Sequence, residues 1–349
     1  MKIKAISSFI LCAAMLLPFT AGCGKSSGSG NDSPPEVFSR TVFAMDTYMN
    51  IKCYGGGEAA LDAAEERIHS LENTLSVTVE NSDVSRLNSS NGNPVEVSPD
   101  TAMIIRTAIA VGGKTGGALD ITAYPLVRAW GFTTGDYKIP PQSDITELLK
   151  NVDYRRITVD GTSASIGDGQ SVDLGALAKG YTGDEVVRVL IENGAESGII
   201  SLGGNVQSFG TKPGAEHWSV AVRDPFEPEG DMCILDIDEK AVITSGNYER
   251  CFTGEDGKSY WHIIDPEDGY PADNGIVSAT IIGDEGLACD ALSTAMFVAG
   301  LDKASEIWRS DPYFDMILVT DDGRIFYTNG LEGSFRNISS MSAEVISLD

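Results

Sequence analysis

Basic side chains are scarce in this chain: its 349 residues include 25 Lys and Arg against 51 Asp and Glu, for a formal net charge of −26. Binding to nucleic acid or to an anionic lipid surface requires clustered Lys and Arg that contact phosphates. The charge balance therefore argues against nucleic acid as a partner. Any phosphate-bearing ligand has to be held locally, by a metal ion, by backbone N–H groups or by a few placed cations.

Familiar phosphate-binding and cysteine signatures are also missing. Neither a G-x-x-x-x-G-K-[ST] loop nor a G-x-G-x-x-G fingerprint occurs anywhere in the sequence. Beyond residue 23, four Cys are scattered without a C-x-x-C pair, which predicts isolated thiols rather than a zinc site or a disulfide framework. What is present is an average globular mixture, with 42% apolar and 22% charged residues, and this composition excludes wholesale disorder.

Residues 1–22 are typical of an export signal. The segment opens with two Lys, continues with an almost wholly apolar run over 6–19, and ends with small residues just before Cys23. The apolar run is too short to span a membrane stably. Small residues directly before a Cys resemble a bacterial lipoprotein signal, in which Cys23 becomes the lipidated first residue of the mature chain. Because Thr20 stands where such signals usually carry Leu, a plain signal peptide is the alternative.

Residues 23–36 predict a flexible tether, since the segment is rich in Ser, Gly and Pro and poor in apolar residues. A tether agrees with an anchor, because a lipidated protein needs reach from the membrane. We therefore expect residues 37–349 to form one folded domain. Lipid on Cys23 would hold this domain at the cell membrane, facing outside the cytoplasm.

The predicted elements mix helices and strands without strict βαβ alternation, and no internal repeat is present. The sequence therefore predicts an α+β fold, with mixed or antiparallel sheets and packed helices in a single domain. Hydrophobic periodicity predicts helices over 58–75, 99–111, 144–150, 176–193, 287–299 and 303–309, with Ser98 as an N-cap and Gly112-Gly113 as the end of the second helix. It predicts strands over 40–54, 155–159, 163–166, 197–202, 218–223, 233–237, 241–244, 260–264, 277–282, 316–319 and 324–327.

Asp290 and Thr294 are the first candidates for chemistry. Positions four apart on a helix lie on one face, so this pair presents a carboxylate and a hydroxyl together. With carbonyl and phosphate oxygens completing the shell, the pair suits a hard cation such as Mg²⁺. We expect Asp290 to be a ligand rather than a prop of the core. The alternative is a solvated surface pair, because Asp and Thr at this spacing are common.

Two further segments combine small residues with polar ones. The stretch 172–181 sets Asp173 and Lys179 in small, apolar surroundings at the start of a helix, where backbone N–H groups favour phosphate. A tight packing corner between a strand and a helix is an equally good interpretation. The stretch 201–205 places a Gly pair after a strand, which more often marks a turn than a phosphate cradle.

His262 is one of only three His in the chain and is followed by an Asp-Pro turn. A His in such a place can act as a general base. The other two His lie on a polar helix face and at the start of a strand. A purely structural role is the alternative for any lone His.

In combination, and in their order along the chain, these segments resemble the ApbE-type FAD:protein FMN transferases of bacteria. The resemblance covers about residues 38–340, which is nearly all of the predicted folded part. The matching stretches are Met45-Asp46-Thr47, Ala118-Leu119-Asp120-Ile121-Thr122, Pro125-Leu126-Val127, Trp130-Gly131-Phe132, Asp173-Leu174-Gly175, Lys179-Gly180-Tyr181, Ser201-Leu202-Gly203-Gly204-Asn205, Thr244-Ser245-Gly246, His262-Ile263-Ile264-Asp265-Pro266 and Asp290-Ala291-Leu292-Ser293-Thr294.

The resemblance implies a catalytic domain that splits FAD at its diphosphate, with Mg²⁺ required. FMN would move onto a Ser or Thr hydroxyl of an exported acceptor protein, and AMP would leave. By position, Asp290 and Thr294 would be metal ligands with the Ala176 carbonyl as a third, and His262 would be the general base with Asp265 as its orienter. The residues that would line the FAD site are Met45, Ala118, Leu119, Asp120, Asp173, Lys179 and Ile264.

Two positions depart from the family pattern. Thr78 stands where an aromatic ring is expected, and Asp46 stands where Gly is commoner. Loss of the ring leaves open a related outcome, a Mg²⁺-dependent FAD pyrophosphatase that gives FMN and AMP. A second alternative is a non-catalytic flavin-binding lipoprotein. The presence of Asp290, Thr294, Asp173 and His262 weighs against it, because simple binding does not require a metal at the diphosphate.

Overall fold

The computed structural model describes residues 35–227 and 229–348, whose strands and helices are as follows. The strands are β1 Val37–Ala44, β2 Thr47–Gly55, β3 Val95–Glu96, β4 Thr158–Asp160, β5 Ser163–Ser165, β6 Ala195–Leu202, β7 Asn205–Phe209, β8 Trp218–Arg223, β9 Asp231–Ile237, β10 Ala241–Gly246, β11 Cys251–Thr253, β12 Ser259–Trp261, β13 Ile276–Gly283, β14 Asp315–Thr320, β15 Arg324–Thr328, β16 Phe335–Asn337 and β17 Ser342–Ile346. The helices are α1 Gly57–Leu75, α2 Asp83–Asn88, α3 Pro99–Lys114, α4 Tyr124–Ala129, α5 Gln142–Leu149, α6 Ala178–Glu192 and α7 Gly286–Ser310.

Within these residues a nine-stranded sheet runs in the order β1-β2-β6-β7-β10-β13-β14-β15-β17. Its neighbouring strands are antiparallel, except that β17 pairs with β15 in parallel. Smaller sheets are formed by β16-β9-β8, by β3-β5-β4 and by the hairpin β11-β12. The predicted α+β class, with mixed sheets and packed helices in one domain, is confirmed.

The large sheet separates two apolar cores. In β14, Met316 and Leu318 pack with helices α3 and α7, whereas Ile317 and Val319 pack with the β8-β9-β16 sheet. Alternate residues of a strand point to opposite faces, so the helices cover one face and the small sheet covers the other. Helices α1 and α6 cover the same face as α3 and α7, over the part of the sheet formed by β1, β2 and β6.

The predicted strand over 40–54 is wrong, because the chain reverses at Met45 and Asp46. Both residues have positive φ, 51° and 59°, and the residues on either side, Ala44 and Thr47, pair directly. The turn is therefore a two-residue hairpin connection. The Met45 N–H donates to Oε1 of Glu72 over 2.6 Å, which fixes the turn on α1.

Two helix predictions near glycines also differ from the structure. Helix α3 continues through Gly112 and Gly113 to Lys114, and a Cβ on Gly112 would lie only 2.9 Å from the Leu119 carbonyl oxygen. This glycine allows close approach and does not end the helix. The segments predicted as two helices near the C-terminus form α7, which is interrupted at Gly300, where φ is 76°.

The predicted export signal and the lipidation site at Cys23 lie outside the described residues, as does nearly all of the predicted tether. Between residues 35 and 348, no helix is long and apolar enough to cross a membrane. Within the described residues, the thiols of Cys53, Cys233, Cys251 and Cys289 form no disulfide, in agreement with the prediction of isolated thiols.

Candidate active site

Helices α6 and α7 approach each other closely at their N-terminal ends, and glycine makes this possible. A Cβ on Gly180 would overlap the carbonyl oxygen of Gly286 and would lie 2.6 Å from the Cβ of Asp290. A Cβ on Gly286 would in turn lie 2.5 Å from the carbonyl oxygen of Gly180. A side chain at either position would push the helices apart, so the two glycines bring Asp290 against the first turn of α6.

The Asp290 carboxylate is buried, with the residue only 4% exposed, and both of its oxygens accept hydrogen bonds. Oδ2 accepts from the Gly180 N–H over 2.8 Å, and Oδ1 accepts from Nδ2 of Asn205 over 3.0 Å. Burial raises the pKa of Asp290, and the positive charge of Lys179 opposes that rise. The expectation that Asp290 is not a prop of the core is therefore wrong, because this carboxylate satisfies two buried donors.

Hydroxyl groups continue the site along α7. Thr294 lies one turn beyond Asp290, and its Oγ1 is 3.3 Å from Oγ of Ser245 on β10. Ser245 Oγ is also 2.8 Å from Oγ of Ser293, which donates to the Asp290 carbonyl. Strand β10 and helix α7 thus bring three hydroxyls together next to the turn of α7 that carries Asp290.

The Ala176 carbonyl precedes the other helix. Helix α6 begins at Ala178 rather than at residue 176, and the Gly180 N–H donates to Asp290. Among the described residues we find no backbone or side-chain donor to the Ala176 carbonyl in the turn before α6. This carbonyl therefore has lone pairs available to a cation or another donor.

The oxygen atoms of this site are ligands of the type that Mg²⁺ prefers. No group of three His, Cys, Asp or Glu side chains in residues 35–227 and 229–348 could hold a metal ion by itself. Mg²⁺, however, is usually bound by one or two carboxylates together with substrate phosphates, and it prefers hard oxygen ligands. Asp290, Thr294 and the Ala176 carbonyl supply such oxygens, and carboxylate oxygens that each accept one hydrogen bond keep a further lone pair.

Lys179 and Arg250 are the cations of this region. The charge of Lys179 opposes the rise that burial causes in the pKa of both Asp290 and Asp173, and Arg250 acts on Asp173 in the same way. Asp173 Oδ1 accepts from the Gly175 N–H over 2.7 Å, which shapes the turn before α6. The Asp173 N–H donates to the Ile121 carbonyl, so the 118–122 segment adjoins this turn.

His262 lies after β12, and its N–H donates to the Arg250 carbonyl over 3.0 Å. Its Nδ1 is buried and has no hydrogen-bond partner among residues 35–227 and 229–348, and its ring meets Phe132 edge-on at 6.4 Å between centroids. Burial, together with the charges of Arg250 and Lys179, lowers the pKa of His262 to about 3. The imidazole is therefore neutral at physiological pH.

Asp265 does not orient His262 in this structure. Its Oδ1 accepts from the Glu267 N–H over 2.8 Å, and its own N–H donates to the Tyr270 carbonyl. These bonds close a local turn within the 265–270 loop. The prediction of Asp265 as the partner of His262 is not supported, because sequence proximity does not place its carboxylate at the ring.

The remaining predicted FAD-lining residues are held by the fold in different ways. The Asp120 carboxylate is already engaged, since Oδ1 accepts from the N–H and hydroxyl of Thr122 and Oδ2 from the Tyr154 N–H. Ala118 and Leu119 are buried in the core beneath α3 and α7. Ile264 forms an isolated bridge with Pro271, and the Met45 sulfur is 3.7 Å from the Thr182 hydroxyl.

The 45–47 turn and the 201–205 segment lie side by side. A Cβ on Gly203 would be 2.5 Å from Oγ1 of Thr47, and the Gly203 N–H donates to the Tyr48 carbonyl. Asn205, at the end of the 201–205 segment, connects these two turns to Asp290 through the hydrogen bond from its side-chain amide. Thr78 lies apart from these contacts in an exposed turn after α1, where its hydroxyl is 2.9 Å from that of Ser76.

Sequence reasoning gave no role to Asn205, Ser245 or Arg250. All three lie in or near sequence motifs that match the family. Asn205 follows the Gly pair, Ser245 lies in the Thr-Ser-Gly segment, and Arg250 comes four residues after the end of that segment. Their importance follows from long-range contacts: Asn205 and Asp290 are 85 positions apart in the chain.

Comparison with known proteins identifies the family of this chain. Residues 45–318 match the model of the ApbE family. The FAD:protein FMN transferase of Klebsiella pneumoniae strain 342 is 32% identical over 302 residues, which cover 85% of this chain and 93% of the relative. The FAD:protein FMN transferase of Escherichia coli K12 is 30% identical over 342 residues, covering 94% and 96%.

Solved structures give the same result at the level of the fold. The crystal structure of the ApbE protein from Thermotoga maritima superposes with a TM-score of 0.80 at 30% identity, and the match covers 86% of this chain and 100% of that one. The flavin transferase ApbE from Vibrio cholerae gives a TM-score of 0.78 at 25% identity, covering 86% and 99%.

Proposed function

We propose that this chain, which belongs to the ApbE family and transfers FMN from FAD to protein, requires Mg²⁺ for the reaction. The acceptor group is a Ser or Thr hydroxyl on an exported protein, and AMP is the leaving group. The family resemblance predicted from the sequence is confirmed. A non-catalytic flavin-binding role is set aside, since the relatives are transferases.

The observation that carries the proposal is the Asp290 carboxylate, which is buried and fixed between the Gly180 N–H and the Asn205 amide, one turn before Thr294. Asp290, Thr294 and the Ala176 carbonyl would hold the metal. Bound Mg²⁺ would offset the charge of the FAD diphosphate and polarise the P–O bond that breaks.

The diphosphate would bind beside the first turn of α6. This chain carries a net charge of −26, so it needs local positive charge to accept a ligand with about two negative charges. Lys179 and Arg250 supply it, and the N-terminal N–H groups of α6 add a favourable dipole. Met45, Ala118, Leu119, Asp120, Asp173 and Ile264 complete the proposed FAD site.

His262 would accept the proton of the acceptor hydroxyl. An alcohol is poorly ionised at neutral pH, so a positioned base accelerates its attack on phosphorus. The neutral imidazole can take a proton, and its Nδ1 makes no hydrogen bond to the part of the chain that the structure describes. Bound diphosphate would also offset the charges of Lys179 and Arg250, which are among the causes of the low pKa of His262.

Hydrolysis of FAD to FMN and AMP is the second candidate reaction, and Thr78 favours it. The side chain at this position is exposed and has no ring that could stack against a flavin or adenine. Water would then compete with the acceptor hydroxyl at the same phosphorus. A positioned hydroxyl has a large effective concentration, so transfer should prevail whenever an acceptor is bound.

The location of the protein is the last part of the proposal. Lipid on Cys23 would anchor the chain to the cell membrane, and residues 23–36 would tether the domain outside the cytoplasm. The export-type segment before Cys23 supports this location.

The decisive experiment incubates the purified protein with FAD, Mg²⁺ and an exported flavin-domain protein. We expect a covalently fluorescent acceptor band and a mass gain of one FMN group on a Ser or Thr. A Thr78→Tyr variant should release less free FMN in the absence of acceptor. Rapid FAD hydrolysis with no labelled acceptor, across several exported candidates, would instead identify a pyrophosphatase.

A further inference from the structure

Helix α7 is capped at its N-terminus by a side chain from α6. The Asp184 carboxylate accepts from the Gly286 N–H through Oδ1 at 2.7 Å and from the Leu287 N–H through Oδ2 at 2.8 Å. Glu285, the residue at the N-cap position of α7 itself, makes no side-chain cap. The first N–H groups of a helix have no partner within the helix, so Asp184 satisfies donors that would otherwise be orphaned.

Helix α6 is capped in the same way by α7. Its own N-cap residue, Leu177, offers no side-chain acceptor, and the Gly180 N–H donates to Asp290 instead. Asp184 follows Gly180 by four residues, just as Asp290 follows Gly286 by four residues. The two helices therefore cap each other through one carboxylate each, and we call this arrangement the reciprocal cap.

Neighbouring residues leave the reciprocal cap little room to shift. Nε2 of Gln207 donates to the Gly180 carbonyl over 3.1 Å. A Cβ on Gly183 or on Gly286 would overlap that same nitrogen. Gln207 thus fills the space between the helices, and a slide of α7 along α6 would break several hydrogen bonds at once.

The proposed ligands are divided between these two helices. The Ala176 carbonyl precedes α6, whereas Asp290 and Thr294 lie on α7. Mg²⁺ demands near-ideal octahedral geometry with oxygens at about 2.0–2.1 Å. The relative position of the two helices therefore decides whether the three oxygens can meet one ion.

We propose that Asp184 is a positioning residue for the metal site: its cap on α7 sets the register of α7 against α6 and so places Asp290 and Thr294 relative to the Ala176 carbonyl. This inference rests on the proposed function. Asp184 is not among the proposed metal ligands or the proposed FAD-lining residues, and its carboxylate accepts from the Gly286 and Leu287 N–H groups. Groups that orient metal ligands typically change metal affinity by roughly 10–100-fold when they are lost.

The test measures Mn²⁺ binding by electron paramagnetic resonance, with the full-length protein and with ADP in place of FAD so that no turnover occurs. We expect Asp184→Ala to weaken Mn²⁺ binding by about tenfold or more. Asp184→Asn, which keeps one acceptor oxygen, should give a smaller loss. This milder variant also serves if Asp184→Ala does not fold.

The matched control is Asp83→Asn. Asp83 is also a buried capping carboxylate, which accepts from the Ser98 N–H at 2.6 Å and the Thr101 hydroxyl at 2.7 Å at the start of α3. This variant should lower the melting temperature and leave Mn²⁺ affinity unchanged. Asp184 variants that lose only melting temperature, as this control does, would overturn the positioning role.

Asp290→Asn separates this inference from the proposed function. If Asp290→Asn loses Mn²⁺ binding and Asp184→Ala does not, the positioning role of Asp184 is wrong while the proposed metal site stands. If Asp290→Asn binds Mn²⁺ like the unmodified protein, the proposed metal site is wrong and the role of Asp184 fails with it.

Discussion

Asn205 donates its side-chain amide to Oδ1 of Asp290 over 3.0 Å, and both residues are buried. The bond joins the start of β7 to the second turn of α7. It holds the only acidic side chain of the proposed ligand set in one orientation. Several expected outcomes depend on this carboxylate and on the groups around it.

Asp290→Asn should reduce Mg²⁺-dependent transfer by a hundredfold or more, because a neutral amide is a poor ligand for a hard cation. Asp290→Ala should abolish transfer and also destabilise the fold by roughly 1–3 kcal/mol, since it strands the donors of Gly180 and Asn205. Turnover at varied Mg²⁺ and urea unfolding measure the two effects.

Thr294→Ala is the graded comparison for Asp290. A neutral hydroxyl contributes less to cation binding than a carboxylate does, so Thr294→Ala should reduce Mg²⁺-dependent transfer less than Asp290→Asn does. Full Mg²⁺-dependent turnover in Asp290→Asn would show that the metal is not bound by this carboxylate.

His262→Ala should slow FMN transfer by about 10²–10⁴-fold, the usual contribution of a general base. FAD binding should change little, and this result would distinguish the loss of a general base from damage to the FAD site. The matched control is His69→Ala, since the His69 side chain is 45% exposed on α1. Rapid-quench transfer rates with a saturating acceptor provide the measurement, and equal rates for both variants would remove His262 from the mechanism.

Asp184 should make stability depend on pH. Burial raises the pKa of its carboxyl from 3.8 to about 6, so the folded state binds the proton more tightly than the unfolded chain does. Its contribution to the free energy of unfolding is therefore complete below about pH 4 and is lost as pH rises through about 6. The difference corresponds to roughly 3 kcal/mol at most.

Urea unfolding of the metal-free protein between pH 4.5 and 7.5 tests this dependence. The stability difference between the unmodified protein and Asp184→Asn should shrink with rising pH. Asp83→Asn should give a constant difference over the same range, because hydrogen bonds from Ser98 and Thr101 outweigh burial and lower the pKa of Asp83. A pH-independent difference for Asp184→Asn would contradict the raised pKa.

Cys23→Ala should release the exported protein from the membrane fraction into the soluble one. Stable anchoring would come from lipid on Cys23, and no helix between residues 35 and 348 can cross a membrane. Fractionation and immunoblotting follow the protein, and the activity of the purified variant should be unchanged. A variant that is exported and cleaved yet still membrane-bound would contradict the lipoprotein interpretation.

Local physics in the sequence determined much of the fold. The 3.6-residue period over 58–75 predicts α1, and Ser98 caps α3 through the Thr101 N–H as its position suggests. Alternating apolar residues predict β14, whose two faces enter different cores. The order of short motifs was enough to predict the family, because each motif carries residue types that its chemistry needs.

Other features were decided only by the tertiary structure. The alternation over 40–54 does not reveal the reversal at Met45 and Asp46, since a two-residue turn preserves the period of two. Strands β16 and β17 were missed, because a short edge strand is stabilised by its partner rather than by its own periodicity. Asp265 follows His262 closely in sequence, yet its carboxylate closes a local turn instead.

The site itself depends on contacts between distant parts of the chain. Gly180 and Asp290 are 110 positions apart, and they meet because two glycines let α6 and α7 touch. Helical periodicity places Asp290 and Thr294 on one face, but it cannot say which donors that face will meet. That choice is made by packing of the helices on the sheet, where close approach and buried hydrogen bonds must be satisfied together.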